Sequence, residues 1–447
     1  MKDVIVMGGN YSLTLGVTRS LGEAGFNVRL LVSDKWTERI AGSSKYVTEC
    51  CNCLGDTEKE NGLGLLKTIR KVISLYRGDN GNKGNNEIKT EIGFDQIWST
   101  LEKLRGNDDR ILIIPVSDIY CMMLDAHAND FTEHYFIPNC FGNPGQMTYH
   151  MDKMIQKELA RQCGLKTAFG NVYSTDEYGI QEAVNNVSFP CFMRALLSAN
   201  VIAGKNLHSE CKIREELCNA MKKAAYNNCS KVLIEDYLEI EKDLCVYGVA
   251  GNNQVFIPGC LEALRSGCGG HKGVTAEGII VSAESLGEIK LKLEEFVKRS
   301  GLTGLFCIDL VLSNGIVYFI EMNLRCGASI YGVTMAGANL PATLANMVYK
   351  QYYKKPVDVR RKSHFVSEMI EIDTCTDGFI TYSEYKTHLS GMKERLIKNE
   401  KDPMPWKEFQ KLEFRQHIKY ILITAVLQKY KRIICKRIIE DGTDGFN

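Results

Sequence analysis

The stretch Gly304-Leu305-Phe306-Cys307-Ile308-Asp309-Leu310-Val311-Leu312-Ser313-Asn314-Gly315-Ile316-Val317-Tyr318-Phe319-Ile320-Glu321-Met322-Asn323 reads as two strands around a turn. Asn-Gly between apolar runs is a strong hairpin signal, because a two-residue turn that matches strand twist needs positive φ at both positions. The spacing predicts strands over 304–312 and 315–323. Glu321 and Asn323 are two apart and so share a sheet face. Asp309 precedes the turn by about as many residues as Glu321 follows it, which makes the two acids neighbours across an antiparallel pair. Arg325 lies two residues further on. Charges aligned by accident on a solvated face are the competing explanation. It fits less well, because Phe306, Ile308, Leu310, Phe319 and Ile320 surround the acids, and two carboxylates in near-buried strands repel without a cation. Oxygen donors with open positions suit Mg²⁺ completed by nucleotide phosphates, and a guanidinium beside it suits an anion.

Outward from the hairpin, a helix is expected over 287–300, with Ile289, Leu293 and Phe296 on one face. Further upstream, short strands (171–173, 191–197, 232–234, 243–250, 255–258) alternate with helices (152–163, 175–185, 212–227), a pattern of α+β packing. The chain opens with a strand over 3–7, a break at Gly8-Gly9-Asn10, a helix over 13–24 and a strand over 27–32. That βαβ start implies a parallel sheet, to which 111–115 adds a later strand. A helix over 63–77 and a polar loop over 78–87 fill the connection. The glycine-rich break lacks the G-x-G-x-x-G spacing of a dinucleotide site and is read as a tight turn. Leu264-Arg265-Ser266-Gly267-Cys268-Gly269-Gly270 reads as a flexible stretch whose Arg265 meets either phosphate, a substrate carboxylate or plain solvent.

The 447 residues suggest two to four domains. With 45% apolar and 24% charged residues, the composition is that of a globular chain and excludes disorder as the main state. A net charge of +1 argues against a dedicated nucleic-acid binder. No run is apolar enough for a transmembrane helix, and the N-terminus does not read as a signal peptide. Seventeen scattered cysteines, an odd number, point to free thiols in a reducing cytoplasm. Neither Cys50-Cys51-Asn52-Cys53 nor Cys268 with His271 has the second pair a structural zinc site needs. Between 411 and 437 the chain is basic and amphipathic. Such a stripe packs on the protein body or a second subunit more often than on an anionic membrane.

Glu321-Met322-Asn323-Leu324-Arg325, with Asp309 twelve residues upstream of Glu321, resembles the metal-binding signature of the ATP-grasp enzymes. The resemblance runs from about residue 2 to 350. Ser44-Lys45-Tyr46-Val47 is similar to the pre-ATP-grasp domain, Asp152-Lys153 followed by Gly164 to the entry into the core, Phe189-Pro190 and Gly204-Lys205 to the lid, and Glu235-Asp236-Tyr237-Leu238 to the adenine hinge. The fold implied is α/β and α+β: a Rossmann-like pre-ATP-grasp domain (1–118), an ATP-grasp core (119–350, lid about 170–238) and a helical C-terminal extension (351–447). The resemblance implies that Asp309, Glu321 and Asn323 hold two Mg²⁺ ions, Mn²⁺ being an alternative, with Glu321 bridging. Lys205 would reach the phosphates and Lys153 would face the nucleotide. Glu235, Asp236, Tyr237 and Leu238 would line the adenine pocket, and Asp243 would meet the ribose. Arg325 would stabilise the charged acyl-phosphate and tetrahedral species; Arg265, read from its own stretch, is the second catalytic candidate. Arg194 stands where the family commonly has lysine, and the fork-shaped side chain is a departure.

The activity implied is ATP-dependent carboxylate–amine ligation through an acyl phosphate, most similar to D-aspartate-ligase-like proteins. Small-molecule acids and amines, amino acids among them, would be the partners, and a homodimer is one possible assembly. Two alternatives are an ATP-binding regulatory module with lapsed catalysis, which Arg194 would favour, and another ATP-grasp ligase or carboxylase. No biotinylation segment is evident in the chain.

Overall fold

The computed structural model describes residues 2–53, 91–106, 108–197, 207–268, 273–349, 356–418 and 421. The helix and loop expected over 63–77 and 78–87, Lys205, and most of the basic stretch beyond 418 lie outside the described residues.

Five parallel strands form the first layer: β1 (Asp3–Gly8), β2 (Asn27–Val32), β3 (Val47–Asn52), β4 (Ile111–Pro115) and β5 (Tyr135–Phe136), in the order β3-β2-β1-β4-β5. Strands covered by helices on both faces read as continuous apolar runs, and Val4, Ile5, Val6 and Met7 are fully buried. Gly8-Gly9-Asn10 is a turn into the helix Tyr11–Glu23, whose first-turn Leu13 N–H donates to the Asn10 side chain at 3.0 Å. Gly8 has to be glycine, since a Cβ would sit 2.2 Å from Thr14 Oγ1.

β6 (Asn139–Cys140) leads to the helix Lys153–Gln162. A small antiparallel sheet follows, built from β7 (Gly170–Ser174), β8 (Cys191–Ala195), β9 (Ser209–Cys211) and β10 (Lys231–Asp236) in the order β7-β10-β8-β9. The helices Glu177–Asn186 and Arg214–Tyr226 pack their apolar faces onto it, giving this lobe a core of its own.

The largest sheet contains β11 (Lys242–Gly251), β12 (Gln254–Ser266), β13 (Thr275–Ser282), β14 (Leu302–Ser313), β15 (Ile316–Asn323), β16 (Ser363–Val366) and β17 (Glu394–Arg395), ordered β15-β14-β11-β12-β13-β16-β17, with β6 pairing to β14. The helices Lys153–Gln162 and Glu288–Arg299 cover one face through Leu293, Phe296 and Phe319. The helices Ile330–Met335 and Leu340–Tyr349 join the other face to the first domain in one continuous core. Among the described residues no helix is long and apolar enough to cross a membrane, and the sixteen described cysteines are free.

Two features differ from expectation. Leu264, Arg265 and Ser266 belong to β12 and are not part of a flexible stretch; pairing with β13 orders them. The extension also does more than add helices. β16 and β17 widen the large sheet, and Phe409 and Leu412, in a helix over 404–418, are buried in the shared core.

The extension is fastened to the first domain by a buried ion pair. Arg19, on the helix Tyr11–Glu23, places Nε 2.9 Å from Asp402 Oδ2, with side chains 0% and 1% exposed. Arg19 also donates to the carbonyls of Leu396 (3.0 Å) and Asp402 (3.1 Å). Asp402 accepts from Ser44 Oγ (2.8 Å) and the Lys45 N–H (3.0 Å). Every polar atom of the pair is therefore engaged, the condition under which a buried pair is tolerated. Asp402→Ala should lower unfolding free energy by about 3–5 kcal/mol, because Arg19 is left charged and unpaired. A urea midpoint unchanged from wild type would show that Arg19 finds another partner.

Candidate active site

The site is built on the β14–β15 hairpin. Asn314 (φ 50°) and Gly315 (φ 71°) form its two-residue turn, and Ser313 pairs with Ile316. The ladder runs without a break to Leu310 opposite Phe319. A strict continuation would put Asp309 opposite Ile320 and send Glu321 to the other face. Instead the register shifts by one residue, and Asp309 stands opposite Glu321. Ile320 is thus the extra residue of a β-bulge, a device that re-aims side chains.

Groups from other elements hold this irregular stretch. Arg194 Nη2 donates to the Ile320 carbonyl at 3.1 Å. The Phe319 N–H donates to the Lys166 carbonyl at 2.7 Å. The Gln156 side chain pairs with both backbone groups of Met322: its Oε1 accepts from the N–H and its Nε2 donates to the carbonyl, each at 2.8 Å. The helix Lys153–Gln162 thus presents Lys153, Gln156 and Lys157, at i, i+3 and i+4, as a buried polar face.

The charges alternate. Lys153 Nζ lies 3.0 Å from Glu321 Oε2, and Arg194 Nη1 lies 3.6 Å from the same oxygen. Arg194 Nε is 2.6 Å from Glu235 Oε2, and Lys157 meets the other oxygen of Glu235. Burial acts to raise Glu321, but Lys153 and then Arg194 hold it down at about 2. Among the described residues Asp309 has no such cation in contact. Burial and then the Glu321 charge push it up to about 6, although Asn323 Nδ2 donates to its Oδ2 at 3.1 Å. Arg325 is gripped by Asp118, with Nε to Oδ1 at 3.0 Å and Nη2 to Oδ2 at 3.3 Å. Burial works against its charge, and Asp118 more than offsets that, keeping the guanidinium above its ordinary range. Asp118, Lys153, Gln156, Glu321 and Asn323 line one cleft.

The structure therefore brings together Asp309, Glu321, Asn323, Arg325, Lys153, Arg194 and Glu235. Arg194 is buried and directed inward. The Glu235 carboxylate is also turned inward, toward Lys157 and Arg194. At the end of β10, the Asp236 N–H donates to the Phe169 carbonyl at 2.8 Å, and Tyr237 and Leu238 follow. Asp243 accepts from Ser266 Oγ at 3.4 Å, and burial raises its carboxyl. Arg265 is bound to Glu277 (3.1 Å) and the buried Glu371. This pairing lies on the side of the sheet that carries the extension.

Asp118, Gln156 and Lys157 were not singled out from the sequence. For Asp118 a signal existed: it opens a helix immediately after β4, and ligands of parallel sheets gather at strand C-terminal ends. Polar residues at 153, 156 and 157 read equally well as a solvated helix face.

The donor set is two carboxylates and one amide, with one carboxylate lacking a cation in contact. Hard oxygen donors in this number fit a Mg²⁺-type ion.

Comparison with known proteins gives the fold its name. No family model matches the sequence. The carbamoyl phosphate synthase large chain of Gemmatimonas aurantiaca is 26% identical over 202 residues, 44% of this chain but only 18% of that relative. The chain thus matches less than a fifth of that relative's length. Among solved structures, the biotin carboxylase domain of Hydrogenobacter thermophilus 2-oxoglutarate carboxylase, bound to MgADP and bicarbonate, superposes with a TM-score of 0.57 at 14% identity, covering 81% of this chain and 73% of that one. The L-amino acid ligase of Bacillus licheniformis gives 0.53 at 14%, covering 80% and 75%. The chain has the ATP-grasp fold, preceded by a Rossmann-like pre-ATP-grasp domain.

Asp309→Asn removes one of two facing carboxylates. Without metal it should stabilise the protein by about 1–2 kcal/mol at pH 8, since the folded state no longer holds a repelled charge. The gain should vanish below pH ~4, where the wild-type carboxyl is protonated both folded and unfolded. Urea unfolding in EDTA at the two pH values reads this out, and a loss of stability at pH 8 would contradict the charge assignment.

Proposed function

We propose that the chain is an ATP-dependent carboxylate–amine ligase that activates its acid as an acyl phosphate and releases ADP and phosphate. The observation that carries this reading is the bulged hairpin. It sets Asp309 beside Glu321 and Asn323, of which the last two line one cleft, with Arg325 held beside them by Asp118. The fold shared with ligases and carboxylases supports it.

A carboxylate resists nucleophiles because of its charge, and bound Mg·ATP would supply the phosphoryl group that turns it into an electrophile. Asp309 and Glu321 would hold the metal, with Glu321 between two ions, Asn323 on the second, and Mn²⁺ able to substitute. Lys153 and Arg194, now neutralising Glu321, are the nearby cations for the phosphates, and Lys205, outside the described residues, would reach the phosphates as the resemblance implies. Asp236, Tyr237 and Leu238 would meet adenine along the strand end, and Asp243 the ribose. Glu235 supports the site through its two cations. Arg325 would offset negative charge on the acyl phosphate and on the tetrahedral species formed by the amine, a preorganised contribution because Asp118 already fixes its direction. Arg265, tied to Glu277 and Glu371, is left outside this scheme. The enzyme would act in the cytoplasm on small acids and amines, amino acids or bicarbonate among them, as a monomer or homodimer.

The test is ADP release screened over pairs of amino acids and over bicarbonate with amines, with product mass measured. Glu321→Gln should cut turnover by about a hundredfold or more, as loss of a charge-stabilising group does. Arg325→Ala should lower kcat with little change in the KM for ATP, and Asp118→Ala should act in the same direction but less. Mg²⁺-dependent ATP binding without any amine-dependent ADP release would favour a nucleotide-binding regulatory module.

A further inference from the structure

The neighbours of Asp309 away from the hairpin partner are thiols. β11 and β14 are antiparallel and place Cys245 opposite Asp309. Cys307 precedes Asp309 by two residues and so shares its face of the sheet. The sulfurs of Cys245 and Cys307 and a carboxylate oxygen of Asp309 all lie within 4.8 Å of one another. Cys245 is in side-chain contact with both other groups. Cys307 is 2% exposed, while Cys245 and Asp309 are half-buried. Among the described residues this is the sole group of three such side chains close enough to share an ion.

Two sulfurs and one carboxylate make a donor set of a different character from the oxygen set of the hairpin. Hard Mg²⁺ gains little from sulfur, whereas thiolates select Zn²⁺ and other soft ions. With Zn–S near ~2.3 Å and Zn–O near ~2.1 Å, ligand atoms around one tetrahedral ion lie about 3.5–4 Å apart. The three side chains therefore need to close by at most about 1.3 Å, which rotation about side-chain bonds supplies. Three protein ligands leave a fourth position for water, as in open zinc sites.

We propose that Cys245, Cys307 and Asp309 form a second metal site, for a thiophilic divalent ion such as Zn²⁺, that overlaps the hairpin site through Asp309. On binding, each thiol gives up its proton to solvent as its metal–sulfur bond forms, and no redox step is involved. The shared carboxylate cannot serve both ions in full, so occupation of the sulfur site withdraws a ligand from the hairpin and shuts the ligase down. The inhibitory half of this inference rests on the ligase reading, whereas the binding half does not.

The full-length chain is titrated with Cd²⁺, whose thiolate complexes absorb in the ultraviolet, alongside the Cys245→Ser/Cys307→Ser double variant. The variant should take up one Cd²⁺ fewer per chain, whatever the other cysteines bind. Equal uptake by the two proteins overturns the site. Should the double variant fail to fold, the same comparison is made with Cys245→Ala, at the more accessible position. In the ADP-release assay, Zn²⁺ should inhibit wild type, and the inhibition constant should rise by more than about tenfold in the cysteine variant, since even outer partners of a metal shift affinity by that much. Loss of one Cd²⁺ with unchanged zinc inhibition would overturn the overlap. Glu321→Gln separates the two readings: it should lose turnover yet still bind the extra Cd²⁺.

Discussion

One misaligned residue organises the site. Turn chemistry at Asn314-Gly315 sets the hairpin register, and that register alone would put Asp309 and Glu321 on opposite faces. The bulge at Ile320 brings them together. A bulge leaves a backbone group without its ladder partner, and here Arg194 takes the Ile320 carbonyl. The same guanidinium reaches Glu235 and Glu321. An ammonium is a compact point charge, whereas the guanidinium fork here donates to one carbonyl while lying within ion-pair distance of two carboxylates. The arginine that departs from the usual lysine is thus a brace for the very irregularity that creates the carboxylate pair.

Around that brace the charges run Lys157, Glu235, Arg194, Glu321, Lys153 in unbroken alternation. Buried ions are tolerated only when compensated, and in this row each carboxylate lies between two cations. Asp309 is the member left over, beside Glu321 and without a cation in contact. Its carboxylate is shared between the oxygen donors of the hairpin and the thiols of Cys245 and Cys307. Nucleotide phosphates entering the cleft would compete with Glu321 for Lys153 and Arg194, so metal and nucleotide would support each other's binding.

Much of this was legible. Period-two alternation and Asn-Gly located the hairpin and its acids, and the opening βαβ unit foretold the parallel sheet. The pairing of Asp309 with Glu321 was anticipated by counting outward from the turn, a count one residue short that the bulge makes good. Bulges are set by contacts from distant elements, such as Arg194 and Gln156, and local pattern carries no trace of them. For the same reason Arg265 could not be placed: its partners Glu277 and Glu371 come from β13 and the extension. Glycines after 266 suggested mobility, while β13, which was not foreseen, holds residues 264–266 in the sheet. Buried polar residues defeat hydropathy reading in general, and Lys153, Gln156 and Lys157 look on paper like any solvated helix face.

The ion pair between Arg19 and Asp402 also has a bearing on synthesis. Its partners are 383 residues apart in sequence. At ~5–20 residues per second, that separation amounts to about 20–80 s of translation. During that interval the face of the helix Tyr11–Glu23 that carries Arg19 lies open to solvent, because Leu396 and Asp402, which bury it, have not been made. Burial of that face must wait until Asp402 has been made. The segment around Asp402 then covers a helix made long before it.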